Sequence, residues 1–197
     1  MPVPKGGSIA PEVTRARLLD AALELFAARG VNAVGVAEVA AKAGASKLSL
    51  YRYFPSKDDL VAAVVDERSA RVQQWLRRES GGHSGIDGVL AVFDLLSTWF
   101  RRRDFVGCAI INSITDLRGS PDPRVTTTAR RHLQGYRDLL VERLSALDPA
   151  PRDVDALARQ LLLLIEGATV VAAVDSAAAM NDARAAAASL IDVAGRA

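Results

Sequence analysis

Two short helical segments with a single glycine between them constrain this chain more than any other feature of its sequence. The first, Val36 to Ala43, places its apolar residues on one side, and Gly44 follows it directly. Ser46 can cap a second short helix, Lys47 to Phe54, which Pro55 stops. Gly44 is therefore expected to form a tight turn between two short helices.

A longer helix is predicted on each side of this pair. Pro11 suits the first turn of the preceding helix, and Gly30 is placed to end it in a left-handed cap. Ser56 and Asp59 form an S-x-x-D capping signal in front of a run from Lys57 to about Glu79. Two short helices packed on a longer first one have the dimensions of a helix-turn-helix, whose second helix enters the major groove of DNA.

The second short helix is expected to have an inward and an outward face. Leu50 and Phe54 stand four residues apart and point to the core. Hydroxyls and cations on the outward face can donate to phosphates and base edges. That face consists of Leu48, Ser49, Arg52 and Tyr53, with Lys47 and Tyr51 at its flanks. Two other interpretations stay open, in which Tyr51 and Tyr53 are core aromatics and Lys47 is a solvated surface cation.

The excess positive charge of the chain lies in its N-terminal part. Residues 1 to 60 carry 8 Lys and Arg against 6 Asp and Glu, whereas the remaining residues carry 17 of each. Between residues 38 and 58 the cations Lys42, Lys47, Arg52 and Lys57 meet no acid in the sequence. This stretch has the charge of a phosphate-binding surface, although a solvated cationic face would have the same composition.

The composition favours an all-α fold. Half of the 197 residues are hydrophobic but only 5% are aromatic, and alanine-rich runs favour helix. We predict a three-helix helix-turn-helix domain over residues 9–56, a connecting fourth helix over 57–79, and a second helical domain over 80–197. Helices predicted in that second domain include Phe105 to Leu117 and Val154 to Ala177.

The helix from Val154 to Ala177 is apolar on more than one face. Such a pattern implies burial on two sides, against the core of one subunit and against a second copy of the chain. The alternative is a helix buried entirely within one subunit.

The stretch from Thr14 to about Asp66 resembles the DNA-binding domain of the TetR family of repressors. LLDAALELFAARG matches the first helix of that family, and in VAEVAAKAGASKLSLYRYFPSKDDLV the order AG, S, LY, YF, K and L recurs at its spacing. By this resemblance DNA is contacted from the second short helix, and Lys57 matches a phosphate-binding lysine. The predicted DNA-binding residues are Ser46, Lys47, Leu48, Ser49, Tyr51, Arg52, Tyr53 and Lys57.

Three positions depart from the family pattern. Val34 stands where a capping threonine is usual, so that Gly35 has to serve as a weaker cap. Ala37 stands where a longer polar side chain often reaches a base, and Leu48 replaces a frequent glycine. A leucine there can contact a thymine methyl group but cannot donate a hydrogen bond.

The resemblance implies a homodimeric repressor that a small-molecule effector of unknown identity releases from a palindromic double-stranded DNA operator. The helices beyond residue 80 would form its regulatory and dimerisation domain. Departures at Val34 and Ala37 leave an alternative, a helical protein-interaction module that has lost specific DNA reading.

Effector-binding residues are expected on the helices of the second domain, in a mostly apolar cavity with a few polar groups. The candidates are Trp99, Phe100, Phe105, Cys108, Ile111, Asn112, Thr115, Leu163, Glu166 and Val170. For most of them the alternative is ordinary core. Cys108 is either an oxidation sensor or a small buried hydrophobe, and Glu166 needs a partner unless it lies at the edge of a dimer seam.

Catalytic chemistry is not indicated. Only His83 and His132 are available, and motifs for zinc, nucleophilic or phosphate-binding sites are missing, so we predict no enzyme activity, no metal site and no cofactor. A single cysteine, Cys108, fits a reducing compartment. The most apolar window, Leu161 to Val174, is short and interrupted by Glu166, and no signal peptide is recognised. We expect a soluble cytoplasmic protein that does not bind or cross a membrane.

Overall fold

The structure, a computed structural model, describes residues 10–102, 105–117, 119, 122–176 and 178–196. These residues form nine α-helices and contain no strand, which confirms the predicted all-α class. The helices are α1 (Pro11–Arg29), α2 (Val36–Lys42), α3 (Lys47–Tyr53), α4 (Lys57–Ser80), α5 (Gly85–Phe100), α6 (Ala109–Asp116), α7 (Pro123–Ser145), α8 (Val154–Val174) and α9 (Ala179–Arg196).

The chain divides into two compact units. The first comprises Met1–Arg68 and Ala109–Thr126, and the second comprises Ser69–Cys108 and Thr127–Ala197. The stretch from residue 109 to 126 was predicted to lie in the second domain, whereas the structure groups it with the N-terminal helices. Hydrogen bonds account for this grouping, because the α6–α7 segment bonds to the turn after α1 and to the start of α4.

In the first unit α1 is the scaffold for the two short helices. Leu18, Leu19, Ala22 and Phe26 are buried, and α1 contacts both α2 and α3. Gly44 joins these two helices with a φ of +65°, a conformation that glycine adopts without strain. The predicted turn is therefore confirmed.

The end of α1 differs in detail from the prediction. Gly30 ends the helix and donates its N–H to the Phe26 carbonyl at 2.8 Å, but its φ of +79° is combined with a ψ of 157°. The predicted left-handed cap is therefore wrong, because ψ lies far outside that region. The Val31 N–H turns instead to the Asp116 carboxylate of α6, at 2.9 Å from Oδ2.

The second unit is built around α5. Six consecutive residues of α5, from Gly88 to Phe93, are buried, and α8 and α9 both contact this helix. The largest side chains with almost no exposure in this core are Leu76, Phe93, Leu96, Leu139, Leu140, Leu144, Leu161 and Ile165.

Two of the predicted helices are shorter than expected. The helix predicted from Phe105 begins only at Ala109, since Phe105 stacks on Phe100 at 4.3 Å between ring centroids and Gly107 has a φ of +92°. The helix predicted to end at Ala177 ends at Val174, and residue 177 lies outside the described residues.

One side of α8 faces away from the core of its unit. Leu161 and Ile165 are buried, whereas Leu163, Val170 and Val174 are 73%, 64% and 85% exposed. The alternative in which this helix is buried entirely within one subunit is therefore wrong. By length and composition alone α8 is also apolar enough to cross a membrane, which for a single helix is weak evidence, and 33% of its apolar window is buried inside the fold.

The positive φ of Gly44, in the turn between α2 and α3, leads to a prediction about the stability of the protein. Gly44→Ala should lower the free energy of unfolding by about 1–2 kcal/mol, because its positive φ disfavours an L side chain. The new Cβ would also lie 2.6 Å from a guanidinium nitrogen of Arg17, which has to shift. Urea unfolding followed by circular dichroism measures the change.

The matched control is Gly82→Ala. A Cβ at Gly82 has nothing within 4 Å and its φ is not in the positive range, so the control should change stability by less than about 0.5 kcal/mol. Equal effects of the two substitutions would contradict a strained turn at Gly44.

Candidate nucleic-acid interface

The sequence of α3 fixes which side of this helix is exposed. Ser46 caps it, since the Ser49 N–H donates to Ser46 Oγ at 3.0 Å and the Ser46 hydroxyl donates to Ser49 Oγ at 3.1 Å. Leu50 is fully buried and Phe54, which follows the helix, is 3% exposed. The predicted inward face is therefore confirmed, and the Ser46 hydroxyl is engaged in the cap.

The outward face of α3 carries most of the predicted DNA-binding side chains. Leu48 is 67% exposed and Tyr51 is 40% exposed, so neither belongs to the core. Lys47 and Arg52 are exposed as well, and Lys47 Nζ lies 5.7 Å from the centre of the Tyr51 ring. The arrangement gives one helix side a mixture of cationic, aromatic and aliphatic groups.

Ser49 and Tyr53, the other two residues predicted on this face, are half-buried. The Tyr53 ring lies beside the Phe54 ring, with 6.4 Å between centroids. The two tyrosines of α3 therefore differ. The Tyr51 side chain is exposed, whereas the Tyr53 ring is only partly accessible and lies beside the buried Phe54 ring.

The start of α4 is held by a reciprocal cap. The Asp59 N–H donates to Ser56 Oγ at 3.0 Å, and the Ser56 N–H and hydroxyl donate to Asp59 Oδ2 at 3.0 and 2.6 Å. Lys57 is the first residue of the helix. A lysine at a helix N-terminus combines its own charge with the positive end of the helix dipole, which suits a phosphate.

A second cation reaches this cap from the first turn of α7. Arg124 bonds to Asp59 and, at 2.7 Å, to Asp122. The hydrogen bond from the Ser56 hydroxyl and the guanidinium of Arg124 hold the pKa of the Asp59 carboxyl below its ordinary value. Hydrogen bonding to Arg124 likewise lowers the pKa of Asp122. Asp59 is thus an ionised link between the beginning of α4 and the beginning of α7.

Some cations of the first unit form ion pairs with acidic residues, and others do not. Lys42 pairs with Glu24 at 2.7 Å, and Arg29 pairs with Glu38 at 2.6 Å. The sequence between residues 38 and 58 shows no acid beside Lys42, because its partner Glu24 lies on α1, 18 positions away. The cations of this unit that have no acidic partner among the described residues include Arg15, Arg17, Lys47, Arg52 and Lys57.

Arg15 and Arg17 were missed in the sequence analysis. Both are exposed, the Arg15 guanidinium lies 5.6 Å from the centre of the Phe54 ring, and Arg17 approaches Gly44 in the turn. The R-x-R spacing one residue before the buried Leu18 was the available signal. These contacts bring two α1 cations to the ends of α3.

The structure shows what the two residues that depart from the family pattern near the beginning of α2, Val34 and Ala37, do in the fold. Val34 is 1% exposed and belongs to the core, and Gly35 occupies the cap position without a side-chain hydrogen bond. Ala37 is exposed but short. Consequently α2 offers less polar reach than α3.

The predicted effector residues of the second unit lie in different environments. Trp99, Phe100 and Phe105 form an aromatic cluster with centroid separations of 4.3 to 5.7 Å. Leu163 and Val170 lie on the exposed side of α8. Seven of the ten candidates belong to this unit, and of these the structure brings Trp99, Phe100 and Phe105 together.

Cys108 and Glu166 complete the candidates of the second unit. Cys108 is buried, with its Sγ 3.9 Å from Nε2 of the buried His132, which the sequence analysis did not single out as a binding residue. His132 also meets Ser69 Oγ at 3.1 Å through Nδ1. Glu166 is half-buried on α8, and burial raises the pKa of its carboxyl.

The remaining candidates lie on α6 in the first unit. Asn112 and Thr115 line a cavity together with residues of α1 and α4, and Ile111 is half-buried outside that lining. Among the described residues no group of three or more His, Cys, Asp and Glu side chains could hold a metal ion.

The N-terminal helices match a known protein family. The sequence model of the bacterial regulatory proteins of the tetR family matches residues 18–64. This stretch contains most of α1, all of α2 and α3, and the first part of α4. It therefore includes the whole outward face of α3 and Lys57.

Characterised relatives are regulators of the helix-turn-helix type. The transcriptional activator FasR of Mycolicibacterium smegmatis is 36% identical over 45% of this chain, and the transcriptional repressor ComR of Escherichia coli is 29% identical over 78% of this chain and 77% of its own length. The chain spans only 42% of the length of FasR and 30% of that of an uncharacterised Mycobacterium tuberculosis regulator that it also matches.

Solved structures extend the similarity to nearly the whole chain. A TetR-family transcriptional regulator from Streptomyces coelicolor superposes with a TM-score of 0.83 at 26% identity, covering 93% of this chain and 97% of that one. The N-terminal helix-turn-helix domain and the helical C-terminal domain are therefore both features of the family fold. Residues 18–64 thus match the tetR family of bacterial regulatory proteins, and the fold of nearly the whole chain is similar to that of a TetR-family regulator.

Proposed function

We propose that this protein is a cytoplasmic transcriptional regulator, a repressor that binds a palindromic operator as a homodimer and is released by a small-molecule effector. The observation that carries this proposal is the outward face of α3, which is accessible over Lys47, Leu48, Tyr51 and Arg52 while Leu50 is fully buried. A rigid helix presented in this way is what a major groove accepts.

Phosphate contacts are assigned to cations whose side chains form no ion pair with an acid among the described residues. Lys57 stands at the N-terminus of α4, and Lys47 and Arg52 lie on α3. Arg15 and Arg17 are added to the sequence-based set because they lie at the two ends of α3. Such contacts fix the position of α3 on the duplex and do not depend on its sequence.

Base contacts are assigned to the middle of α3. Leu48, which is 67% exposed, would contact a thymine methyl group, and Ser49 and Tyr51 would supply hydroxyl groups to base edges or to the backbone. Tyr53 would reach a phosphate from its partly accessible ring. Ser46 contributes through the cap that orients Ser49.

Dimerisation is assigned to the exposed side of α8. Leu163, Val170 and Val174 recur there at helical spacing, and a second copy of the chain would remove this apolar face from water. Two α3 helices held by one dimer would then enter successive major grooves, about 34–36 Å apart, on a palindromic site.

The relatives support regulation over catalysis, since those named above are an activator and a repressor. ComR, which aligns over the greater part of this chain, supports repression. Release by an effector requires that the ligand bind the free protein more tightly than the protein on DNA.

The direct test is binding of the purified full chain to the DNA upstream of its own gene and to a random duplex of equal length at moderate salt. A regulator of this kind should prefer the upstream DNA by at least about 1,000-fold. Equal binding to both duplexes would support the alternative of a protein-interaction module and overturn the proposed function.

Lys57→Ala is predicted to weaken binding to every duplex. The slope of log K against log salt should fall by about 0.9 for each Lys57 that neutralises a phosphate. Fluorescence anisotropy at several salt concentrations gives this slope.

Lys42→Ala serves as the control for this measurement. Lys42 is already paired with Glu24 at 2.7 Å, so its removal should leave the salt slope unchanged. If the slope of the Lys57 variant also stays at the wild-type value, Lys57 does not touch phosphate.

Val170→Asp is predicted to separate the dimer. A carboxylate on the apolar side of α8 would be buried without a partner in the dimer, and the variant should sediment as a monomer and bind the upstream DNA more weakly. Analytical ultracentrifugation measures the oligomeric state.

Ile86→Asp is the matched control, since Ile86 is an exposed apolar residue on α5 with 40% exposure. This variant should remain dimeric. A Val170→Asp protein that sediments like the wild type would exclude this side of α8 as the dimer interface.

A further inference from the structure

The first unit contains a cavity of about 210 Å³ between α1, α4 and α6. Every residue that lines it belongs to this unit. The cavity therefore lies beside the scaffold helix of the helix-turn-helix, and only Asn112 and Thr115 of the ten predicted effector residues line it.

One wall of the cavity is apolar. Leu23 and Phe26 of α1, Val64 and Val65 of α4, and Ile110 of α6 line it. Ala27 and Gly30 stand on the same edge of α1 and leave space that larger side chains would fill. Since an engineered apolar cavity of about 150 Å³ accommodates benzene, this volume suits an aromatic ring with a short chain.

The opposite corner of the cavity is electronegative. The C-terminal ends of α1 and α6 meet there, and a Cβ on Gly30 would lie 3.0 Å from Asp116 Oδ2. Helix C-termini carry partial negative charge, to which Asp116 adds a full one. No basic residue is present in the last turn of α6.

Among the described residues, no cationic side chain forms a hydrogen bond or ion pair with the Asp116 carboxylate. Arg29, in the last turn of α1, pairs with Glu38 at 2.6 Å, and Arg68 in the cavity wall has an interaction of its own. Asp116 accepts the Val31 N–H through Oδ2, and no donor is recorded on its Oδ1. The corner therefore favours a cationic donor.

We propose that this cavity binds a small organic ammonium compound, with its ammonium group on Asp116 and an apolar body against Phe26, Val64 and Ile110. The same Asp116 holds the turn after α1, through Val31 and through its carbonyl, which accepts from Asn32 Nδ2 at 2.6 Å. If the proposed function holds, an occupant here acts on DNA binding, because it shares Asp116 with the turn that leads from α1 into α2.

The test is isothermal titration calorimetry of the full chain, without DNA, against 2-phenylethylamine, and in parallel against phenylacetate, which carries the opposite charge on a similar body. The amine should bind at least about tenfold more tightly, since only its ammonium group can donate a charge-assisted hydrogen bond to Asp116. Equal binding of the two compounds, or no binding of the amine up to millimolar concentration, overturns the proposal.

Two variants locate the binding site. Asp116→Asn keeps an oxygen for the Val31 N–H but removes the charge, and it should weaken amine binding at least about tenfold. Ala27→Leu should fill the cavity and abolish binding. Asp87→Asn, at an exposed acid in the first turn of α5, is the control and should bind like the wild type. Unchanged binding by the Asp116→Asn protein also overturns the proposal, and circular dichroism confirms that each variant is folded.

A separate titration of upstream DNA with and without the amine distinguishes this proposal from the proposed function. Loss of amine binding in the Asp116→Asn protein supports the cavity site even if the wild type shows no DNA preference. A wild-type protein that prefers its upstream DNA but does not bind the amine retains the proposed function and loses this site.

Discussion

Burial of Leu50 and Phe54 beneath α3 is the interaction on which the proposed DNA interface depends. α3 is seven residues long, and a helix of that length is not stable alone in water. Its orientation therefore comes from these two buried side chains, the Ser46 cap and the turn at Gly44. Together they leave Lys47, Leu48, Tyr51 and Arg52 no inward alternative, so that α3 presents a preorganised surface.

Acidic residues determine which cations of the first unit are available for phosphates. Glu24 and Glu38 engage Lys42 and Arg29 within the scaffold. Surface ion pairs of this kind contribute little to stability, about 0–1 kcal/mol, but they direct the remaining charge toward the face around α3. Asp59 has a structural role instead, because it caps α4 and binds Arg124 at the same time.

Local patterns were sufficient to predict the all-α class, the Gly44 turn, the Ser46 cap and the buried positions Leu50 and Phe54. Each depends on residues within four or five positions of one another. Contacts between distant segments could not be read in this way. The Val31 bond to Asp116 spans 85 positions, and it changed the end of α1 and joined α6 to the first unit.

The candidate effector residues illustrate the same limit. Periodicity marks apolar positions on α5, α6 and α8, but it does not tell a core residue from a cavity wall or an exposed seam. Phe100 proved to be core and Leu163 exposed, while Asn112 lines a cavity of the first unit. Arg15 and Arg17 escaped notice because only the fold brings α1 to the ends of α3.

Hydroxyl-radical footprinting of the protein on its upstream DNA tests the central claim most directly. Two copies of α3 in successive major grooves should protect two patches of the backbone whose centres are about 10 base pairs apart. The outer edges of both patches should lose protection when Lys57 is replaced by alanine. A single uninterrupted patch, or protection that does not change with Lys57, would contradict a dimer that reads DNA through the outward face of α3.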